Sequence, residues 1–253
     1  EYRRQRQMCI RDRTYTVDSS TGQVTFDPLP AFSGVATPIE YVVADALGQK
    51  VTSTITPTVI GKPTAVADTT SGAQGVAQSI NVSTNDSAAS GTTLTPSSVT
   101  LSCGAASGCT LNGNGTVTIT GQGTYSASAA DGTIVFTPLA NFTGSALPVT
   151  YTISDARGQT ATTTYTPTIV PAPVAVPDTS TNGQDINQSI NVLSNDAHTG
   201  LPLDATSVKL CDPTTSPVQT SPNCTLTLLT ISGEGTYTVN PTTVSYTHLT
   251  LPT

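Results

Sequence analysis

The sequence predicts an all-β chain made of tandem β-sandwich domains of the immunoglobulin-like (Ig-like) kind, each of about 110 residues. The segment that begins at Thr14 returns at Thr124, and a third copy of its beginning appears at Thr236. Apolar and polar residues alternate in short runs bounded by Gly, Asp and Pro, and no run has a helical spacing. A period of this length is typical of a compact domain and too long for a solenoid unit.

The first two copies contain the same predicted strands in the same order. A hairpin comes first, formed by Thr14–Asp18 with Gln23–Asp27 and, in the second copy, by Tyr125–Ser128 with Thr133–Thr137. Two longer strands follow, Pro38–Ala44 with Gln49–Thr58 and Pro148–Ser154 with Gln159–Thr168. Because side chains alternate across a strand, Val149, Tyr151 and Ile153 are expected to face a common core.

The repeat divides the sequence into three parts. We expect 14–60 to be the end of a first repeat, 63–170 a complete repeat and 173–243 the beginning of a third. Pro171 and Pro173 lie in the connector between the second and third parts, where each fixes its own φ. A short, stiff connector predicts a semi-rigid rod of domains.

The two ends of the sequence, 1–13 and 244–253, differ in composition from the rest. Residues 1–13 hold five of the nine basic residues, the single Met and Cys9. The repeat breaks at 244–253, where the sequence of 132–136 has no counterpart. Both segments resemble translated sequencing-adaptor read-through, so we expect them to be foreign to the protein. A genuine basic arm that binds an acidic surface is the alternative for the first segment.

The aromatic residues recur at matched positions of the repeat. All four Phe do so, as Phe26 with Phe136 and Phe32 with Phe142, and Tyr15, Tyr125 and Tyr237 match, as do Tyr41 and Tyr151. We interpret them as core residues, because each buried aromatic side chain contributes about 2–3 kcal/mol to folding. A binding role for these positions is the alternative.

Four of the five cysteines form two pairs at the same place in successive repeats, Cys103 with Cys109 and Cys211 with Cys224. An even number at matched places predicts one local disulfide in each repeat and an oxidising location. Zinc is the alternative, but it needs four ligands close together, and the chain has only two His.

A polar motif, Gln-Ser-Ile-Asn-Val-x-x-Asn-Asp, occurs at Gln78–Asp86 and at Gln188–Asp196. With Asp68 and Asp178 upstream, its oxygens are candidate calcium ligands near the domain junction, in the pairs Asp68/Asp86 and Asp178/Asp196. The alternative is that Asn and Asp close turns through local hydrogen bonds. We also interpret Asp45 and Asp155 as turn residues.

The sequence gives little support to catalysis or to nucleic-acid binding. His198 has no counterpart in the first copy, and His248 lies in 244–253, which we expect to be foreign to the protein. A Ser-His-Asp triad therefore has no credible base. We therefore predict no catalytic residues, no enzyme activity and no cofactor. A net charge of −7 gives no attraction for phosphates. No apolar run reaches the length of about 18 residues that a transmembrane helix needs.

Several strings together resemble the CshA-type fibril repeat of bacterial fibrillar surface adhesins. They are Gly-x-Gly-Thr-Tyr at Gly121–Tyr125 and Gly233–Tyr237, Phe-Thr-Pro…Phe-Thr-Gly at 136–144, Val-Thr-Tyr-Thr-Ile-x-Asp-x-x-Gly-Gln at 149–159 and Thr-Tyr-Thr-Pro-Thr at 164–168. The resemblance covers most of 14–243. It implies a non-catalytic β-sandwich strung in tandem into a wall-attached extracellular fibril.

From these observations we predict structural stalk repeats that project an adhesive domain from a bacterial cell wall. The expected partners are neighbouring repeats of the same chain, with host or bacterial surface ligands reached through other regions. The alternative is that the repeats themselves bind a ligand. The stretches that differ most between copies, 87–116 and 197–225, favour the stalk, because variable segments are typical of tolerant surface loops.

Overall fold

The computed structural model of the protein describes residues 13–198, 201–215, 218, 223–240 and 245–249. The two predicted foreign segments lie outside these residues, apart from Arg13 and Ser245–Leu249. The regular structure described is nearly all β-strand, with two single-turn 3-10 helices, and this confirms the predicted all-β class. Among the described residues, no helix is long and apolar enough to cross a membrane.

The first part of the chain forms three antiparallel strand pairs, β1 with β2, β3 with β6 and β4 with β5. Their bounds are β1 Arg13–Val17, β2 Val24–Pro28, β3 Gly34–Val35, β4 Ile39–Ala44, β5 Lys50–Ile55 and β6 Thr58–Val59. The predicted strand Gln49–Thr58 is divided in two at Pro57, which has no N–H to donate. In the complete repeat the equivalent Pro167 lies within a single strand, Thr160–Val170.

The complete repeat supplies the next ten strands and the first 3-10 helix. They are β7 Asp68–Ala73, β8 Gln78–Asn81, η1 Val82–Thr84, β9 Leu94–Ser102, β10 Cys109–Leu111, β11 Val117–Ile119, β12 Gly123–Ala127, β13 Thr133–Pro138, β14 Gly144–Ser145, β15 Val149–Asp155 and β16 Thr160–Val170. They form two sheets, which we call the front and back sheets. The front sheet has the order β10-β11-β12-β13-β8, and the back sheet has the order β14-β16-β15-β9 with β7 also paired to β16.

The core of the repeat lies between these sheets, where side chains from both are buried. The front sheet contributes Val117, Ile119, Tyr125, Ile134 and Phe136, and the back sheet contributes Val99, Leu101, Val149, Tyr151, Ile153 and Tyr165. The Tyr125 ring lies 4.5 Å from that of Phe136, centroid to centroid, and meets the ring of Tyr165 edge-on at 6.0 Å. The predicted inward face of Val149, Tyr151 and Ile153 is therefore the core face of β15.

Two glycines explain the Gly-x-Gly-Thr-Tyr string. Gly121 has φ of +75°, a conformation that favours glycine, in the turn between β11 and β12. Gly123 packs against its neighbours so closely that a Cβ there would overlap the carbonyl oxygen of Thr137 and lie 2.8 Å from Cζ of Phe136. The string thus places the buried ring of Tyr125 at the start of β12.

The third part repeats the front sheet. Its elements are β17 Gln188–Asn191, η2 Ala205–Ser207, β18 Leu228–Ile231, β19 Gly235–Asn240 and β20 Ser245–Leu249, and the sheet order is β17-β20-β19-β18. Ser245 pairs with Asn191 as Thr133 pairs with Asn81, so the backbone of β20 takes the place of β13. Strand pairing uses backbone groups, so a segment without sequence likeness can fill this position.

The chain divides into two compact units, of which the first contains the described residues up to Thr70 together with Ala77–Thr137 and Leu147–Pro167. The second contains Ser71–Val76, Pro138–Ala146 and the residues from Thr168 onward. The first unit holds most of the sandwich core, and the second holds the third part of the chain.

Candidate functional site: the connector clamp

The segment that enters each repeat is fastened by backbone hydrogen bonds to the end of the polar motif. Thr64 N–H donates to Ser87 O at 2.8 Å, and Ser87 N–H donates back to Thr64 O at 2.9 Å. In the third part, Val174 and Ala197 exchange the same two bonds, both at 2.9 Å. We call this arrangement the connector clamp. Its recurrence at an identical place shows that the connector is held to the domain that follows it.

An aspartate side chain adds a second fastening in both copies. Asp86 Oδ1 accepts a hydrogen bond from Val66 N–H at 2.7 Å, and Asp196 Oδ1 accepts one from Val176 N–H at 2.8 Å. These bonds join residues 20 positions apart, so they are not the local turn bonds that the sequence suggested for the Asn-Asp pair. A carboxylate that accepts a backbone N–H makes one of the stronger kinds of hydrogen bond.

In the complete repeat, Tyr151 of the back sheet reaches into the clamp. Its hydroxyl lies 2.9 Å from Asp68 Oδ2, 3.1 Å from Asp86 Oδ2 and 3.1 Å from Val66 O. Asn85 Nδ2 donates to Asp68 Oδ1 at 3.0 Å. The clamp of the complete repeat is therefore tied to the sandwich core by one phenol and two carboxylates.

Burial changes the acidity of these groups. Asp68 is 4% exposed and Asp86 is 8% exposed. Loss of hydration raises the pKa of both carboxyls, and for Asp68 the nearby charge of Asp86 raises it further. Burial, with the two adjacent carboxyls, also raises the pKa of the Tyr151 hydroxyl above its usual range. The phenol is therefore neutral and can act as a hydrogen-bond donor throughout the physiological pH range.

The rest of the motif is used inside the domain. Gln78 is buried, and its Oε1 accepts from Thr70 Oγ1 at 2.5 Å. Asn81 caps η1 by accepting from Ser83 N–H at 3.0 Å. In the third part, Ser180 Oγ donates to Gln188 Oε1, the equivalent of the bond to Gln78. The motif therefore joins the first strands of a repeat to its entering connector.

The calcium ligands suggested by the sequence are partly brought together. Asp68 and Asp86 share Tyr151, but the described part of the chain brings no group of three or more His, Cys, Asp and Glu side chains together. Calcium normally takes six to eight oxygens. The arrangement thus fits a hydrogen-bonded fastening, in which each carboxylate already accepts an N–H donor.

In each of the two predicted cysteine pairs, the two cysteines lie close together in the structure. The Cα atoms of Cys103 and Cys109 lie 5.6 Å apart, and those of Cys211 and Cys224 lie 4.5 Å apart. Both separations fit the usual range for a disulfide. Cys103 follows β9 and Cys109 begins β10, so a disulfide between them would close the loop between the back and front sheets. Oxidation of the four thiols in the mature protein stays a prediction.

The turn aspartates match in both copies. Asp155 Oδ1 accepts from the N–H groups of Arg157 and Gln159, both at 2.9 Å. Asp45 Oδ1 accepts from Leu47 and Gln49 in the same way, at 2.9 Å and 2.8 Å. These carboxylates shape the turns between long strands, as local side-chain acceptors commonly do.

Sequence reasoning missed the polar role of Tyr151. The alternation of β15 placed its ring in the core, but not its hydroxyl against carboxylates more than sixty residues away in sequence. One signal was available: Asp68 and Asp86 recur together as Asp178 and Asp196. A pair of acids that recurs at fixed spacing suggests that the two act together.

Comparison with known proteins agrees with this structure. A search of the curated proteins gives no match to the chain. The family model for the repetitive domain of the surface adhesin CshA matches twice, at residues 7–59 and 61–169. The boundary between the two matches falls in the connector that precedes the complete repeat. Since the two matches together cover more than half of the sequence, the chain belongs to the family of surface adhesin CshA repetitive domains.

Proposed function

We propose that this chain is a section of a non-catalytic stalk that projects an adhesive domain from the wall of a bacterial cell. Its family is one of surface adhesin repeats, which indicates a location at the cell surface. The observation that carries the proposal is the connector clamp, which occurs in the same form at Thr64–Ser87 and at Val174–Ala197. A clamped connector restricts the movement of one domain relative to the next, as a spacer requires.

The connector before the third part has further support for this role. Pro171 and Pro173 restrict its backbone, and between them Ala172 N–H donates to Gln74 Oε1 at 3.0 Å. The side chain of Gln74 also donates through Nε2 to Ala140 O at 3.1 Å. A connector that is fixed in this way bends less than a flexible linker of equal length, so it spans a longer mean distance.

Solution scattering of the chain measures this stiffness. We expect the double change Pro171→Gly and Pro173→Gly to widen the distribution of end-to-end distances and lower the mean. The matched control is Pro213→Gly, which removes a proline outside the connector and should leave the distribution unchanged. Equal distributions for the native chain and the double variant would contradict a stiff spacer.

A binding assay separates the stalk from the alternative in which the repeats themselves are adhesive. The native chain, immobilised on beads, is offered mucin and extracellular-matrix proteins. We expect no saturable binding, because a spacer needs no ligand. Saturable binding that is competed by soluble chain would favour the adhesive alternative.

A further inference from the structure

The clamp of the complete repeat has more hydrogen-bond acceptors than protons. A tyrosine hydroxyl carries one proton and donates one hydrogen bond. Around the Tyr151 hydroxyl lie Asp68 Oδ2 at 2.9 Å, Asp86 Oδ2 at 3.1 Å and Oδ1 at 3.2 Å, and Val66 O at 3.1 Å. With both carboxyls ionised, at least one carboxylate oxygen would face the phenol oxygen without a proton between them.

The other donors nearby are already used. Asn85 Nδ2 donates to Asp68 Oδ1 and Val66 N–H donates to Asp86 Oδ1. The two Oδ2 atoms are thus left to compete for the single proton of Tyr151. Two buried carboxylates that share a site repel each other, and the pair takes up a proton more readily than an isolated aspartate does.

The titratable groups that face this cluster offer no positive charge. The cluster draws on the start of β7, the segment after η1, β15 and β16. Among the described residues, the titratable groups that shift the acidity of Asp68, Asp86 and Tyr151 are these three side chains themselves. No Lys, Arg or His is among them. Tyr165 lies nearby, bonds to Thr70 and has its own pKa raised by burial and by the charge of Asp68.

We propose that Asp68, Tyr151 and Asp86 form a proton-sharing latch, in which one additional proton lies between the two carboxyls and completes the hydrogen bonding around the phenol. With the proton on Asp86, its carboxyl donates to the oxygen of Tyr151, and the hydroxyl of Tyr151 donates to Asp68. Each buried oxygen then has a partner. When the proton leaves, the two carboxylates repel across the phenol, and one of the two Oδ2 atoms loses its hydrogen-bond partner.

The latch makes the stability of the repeat depend on pH in an unusual direction. Burial raises the pKa of Asp68 and of Asp86 above the ordinary aspartate value of 3.8. A group whose pKa is raised in the folded state stabilises the fold fully below its unfolded pKa, and this contribution is lost as the pH rises through the folded pKa. The complete repeat should therefore gain stability as the pH falls from neutral toward 4. Under the proposed stalk function, the repeat that follows the connector would be more stable in an acidic environment.

Carbon-detected NMR of the side-chain carboxyls in the full chain tests the latch directly. We expect one aspartate to remain protonated at a pH where the exposed aspartates have lost their protons. Asp86→Asn and Asp68→Asn should each lower the pH of this raised transition without abolishing it, because each removes the repulsion between two carboxylates while burial still raises the pKa of the remaining carboxyl. Asp196→Asn is the matched control in the third part and should leave the transition in place.

Thermal unfolding gives a second measurement that does not require assigned spectra. The melting midpoint of the repeat should rise between pH 7 and pH 5 in the native chain, and this rise should shrink in Asp86→Asn. Tyr151→Phe keeps the ring in the core but removes the hydroxyl, so it should change the pH at which the raised transition occurs. If both carboxyls titrate at or below 3.8, or if calcium raises the midpoint and removes the raised transition, the latch is wrong. Neither result depends on whether the chain is a stalk.

Discussion

The complete repeat and the first part of the chain contain the same long hairpin, but they bury it to very different extents. Tyr151 is 0% exposed, whereas the equivalent Tyr41 is 43% exposed. Ile153 is 0% exposed, and its equivalent Val43 is 53% exposed. The alternation of apolar residues is the same in both, so the difference comes from what packs on the strands.

The covering strands come from the earlier half of the repeat. In the complete repeat, β15 pairs with β9 as well as β16, and the front sheet closes over its inner face. Among the described residues of the first part, β4 pairs with β5 alone, and 13–60 contain no strands that correspond to β7, β8 and β9. An isolated two-stranded hairpin is only marginally stable in water. The repeat therefore behaves as a cooperative unit whose second half depends on its first.

The largest expected effect comes from the core aromatic of the front sheet. Phe136→Ala should lower the free energy of unfolding of the complete repeat by about 3–5 kcal/mol, because the side chain is fully buried against Tyr125. Phe26→Ala is the matched variant, since Phe26 contacts Tyr15 in the same way at 4.8 Å but is only half-buried. Amide hydrogen exchange, read strand by strand, measures both changes.

The two variants should also differ in how far the loss spreads. Phe136→Ala should increase exchange in both sheets of the complete repeat, whereas Phe26→Ala should affect β1 and β2 alone. If both variants lost protection from exchange to the same extent and only near the substituted residue, the complete repeat would not be a cooperative unit.

Gly123→Ala has the second largest expected effect and tests how closely the front sheet is packed. The added Cβ would meet the carbonyl oxygen of Thr137 and the ring of Phe136, neither of which can move freely. Overpacking of this kind costs up to about 3 kcal/mol. Gly113→Ala is the control, because no atom lies within 4 Å of the added Cβ and the backbone there is not left-handed. Melting midpoints of the two variants show whether close packing at Gly123 matters.

Much of this fold could be predicted from sequence, because the repeat exposes the pattern twice. The hairpin of β12 and β13 and the long strands β15 and β16 lie close to their predicted places, since alternation and turn residues are local signals. The inward face of Val149, Tyr151 and Ile153 followed from the pleat alone. Signals of this kind depend only on neighbouring residues and not on contacts with distant parts of the chain.

The connector clamp could not be predicted in the same way, because its partners are distant in sequence. Asp86 bonds to Val66 and Tyr151, and only the folded sandwich brings these residues together. The pairing of β20 in the place of β13 was equally hidden, since its residues do not resemble those of β13. Patterns of residue type locate strands and turns, but they do not reveal hydrogen bonds made across the domain.

Loss of the disulfides should have the next largest effect and should differ between the two repeats. In the chain-entropy account, opening a bridge that spans 6 positions, as at Cys103–Cys109, costs about 2 kcal/mol. The bridge at Cys211–Cys224 spans 13 positions and should contribute about 3 kcal/mol. Melting of the chain with and without a reducing agent, beside the variants Cys103→Ser/Cys109→Ser and Cys211→Ser/Cys224→Ser, measures each contribution. A free thiol at Cys103, Cys109, Cys211 or Cys224 in the unreduced protein would contradict the disulfides.

The smallest expected effect is one in which the two copies should behave alike. Asp18 and Asp131 lie in equivalent exposed turns, and hydrogen bonds from the side chains of Ser20 and Ser128, respectively, lower the pKa of each carboxyl below 3.8. A lowered pKa stabilises the fold above the unfolded pKa, and this contribution is lost as the pH falls through the lowered value.

NMR titration should therefore show both carboxyls ionising at lower pH than an ordinary aspartate. Asp18→Asn and Asp131→Asn should cause equally small losses of stability at neutral pH, because a turn needs only its neighbours in sequence. This equality is informative beside the unequal pair Phe26 and Phe136. If Asp131→Asn were much more damaging than Asp18→Asn, the turns too would depend on the completed sandwich, and the division between local turns and a cooperative core would be wrong.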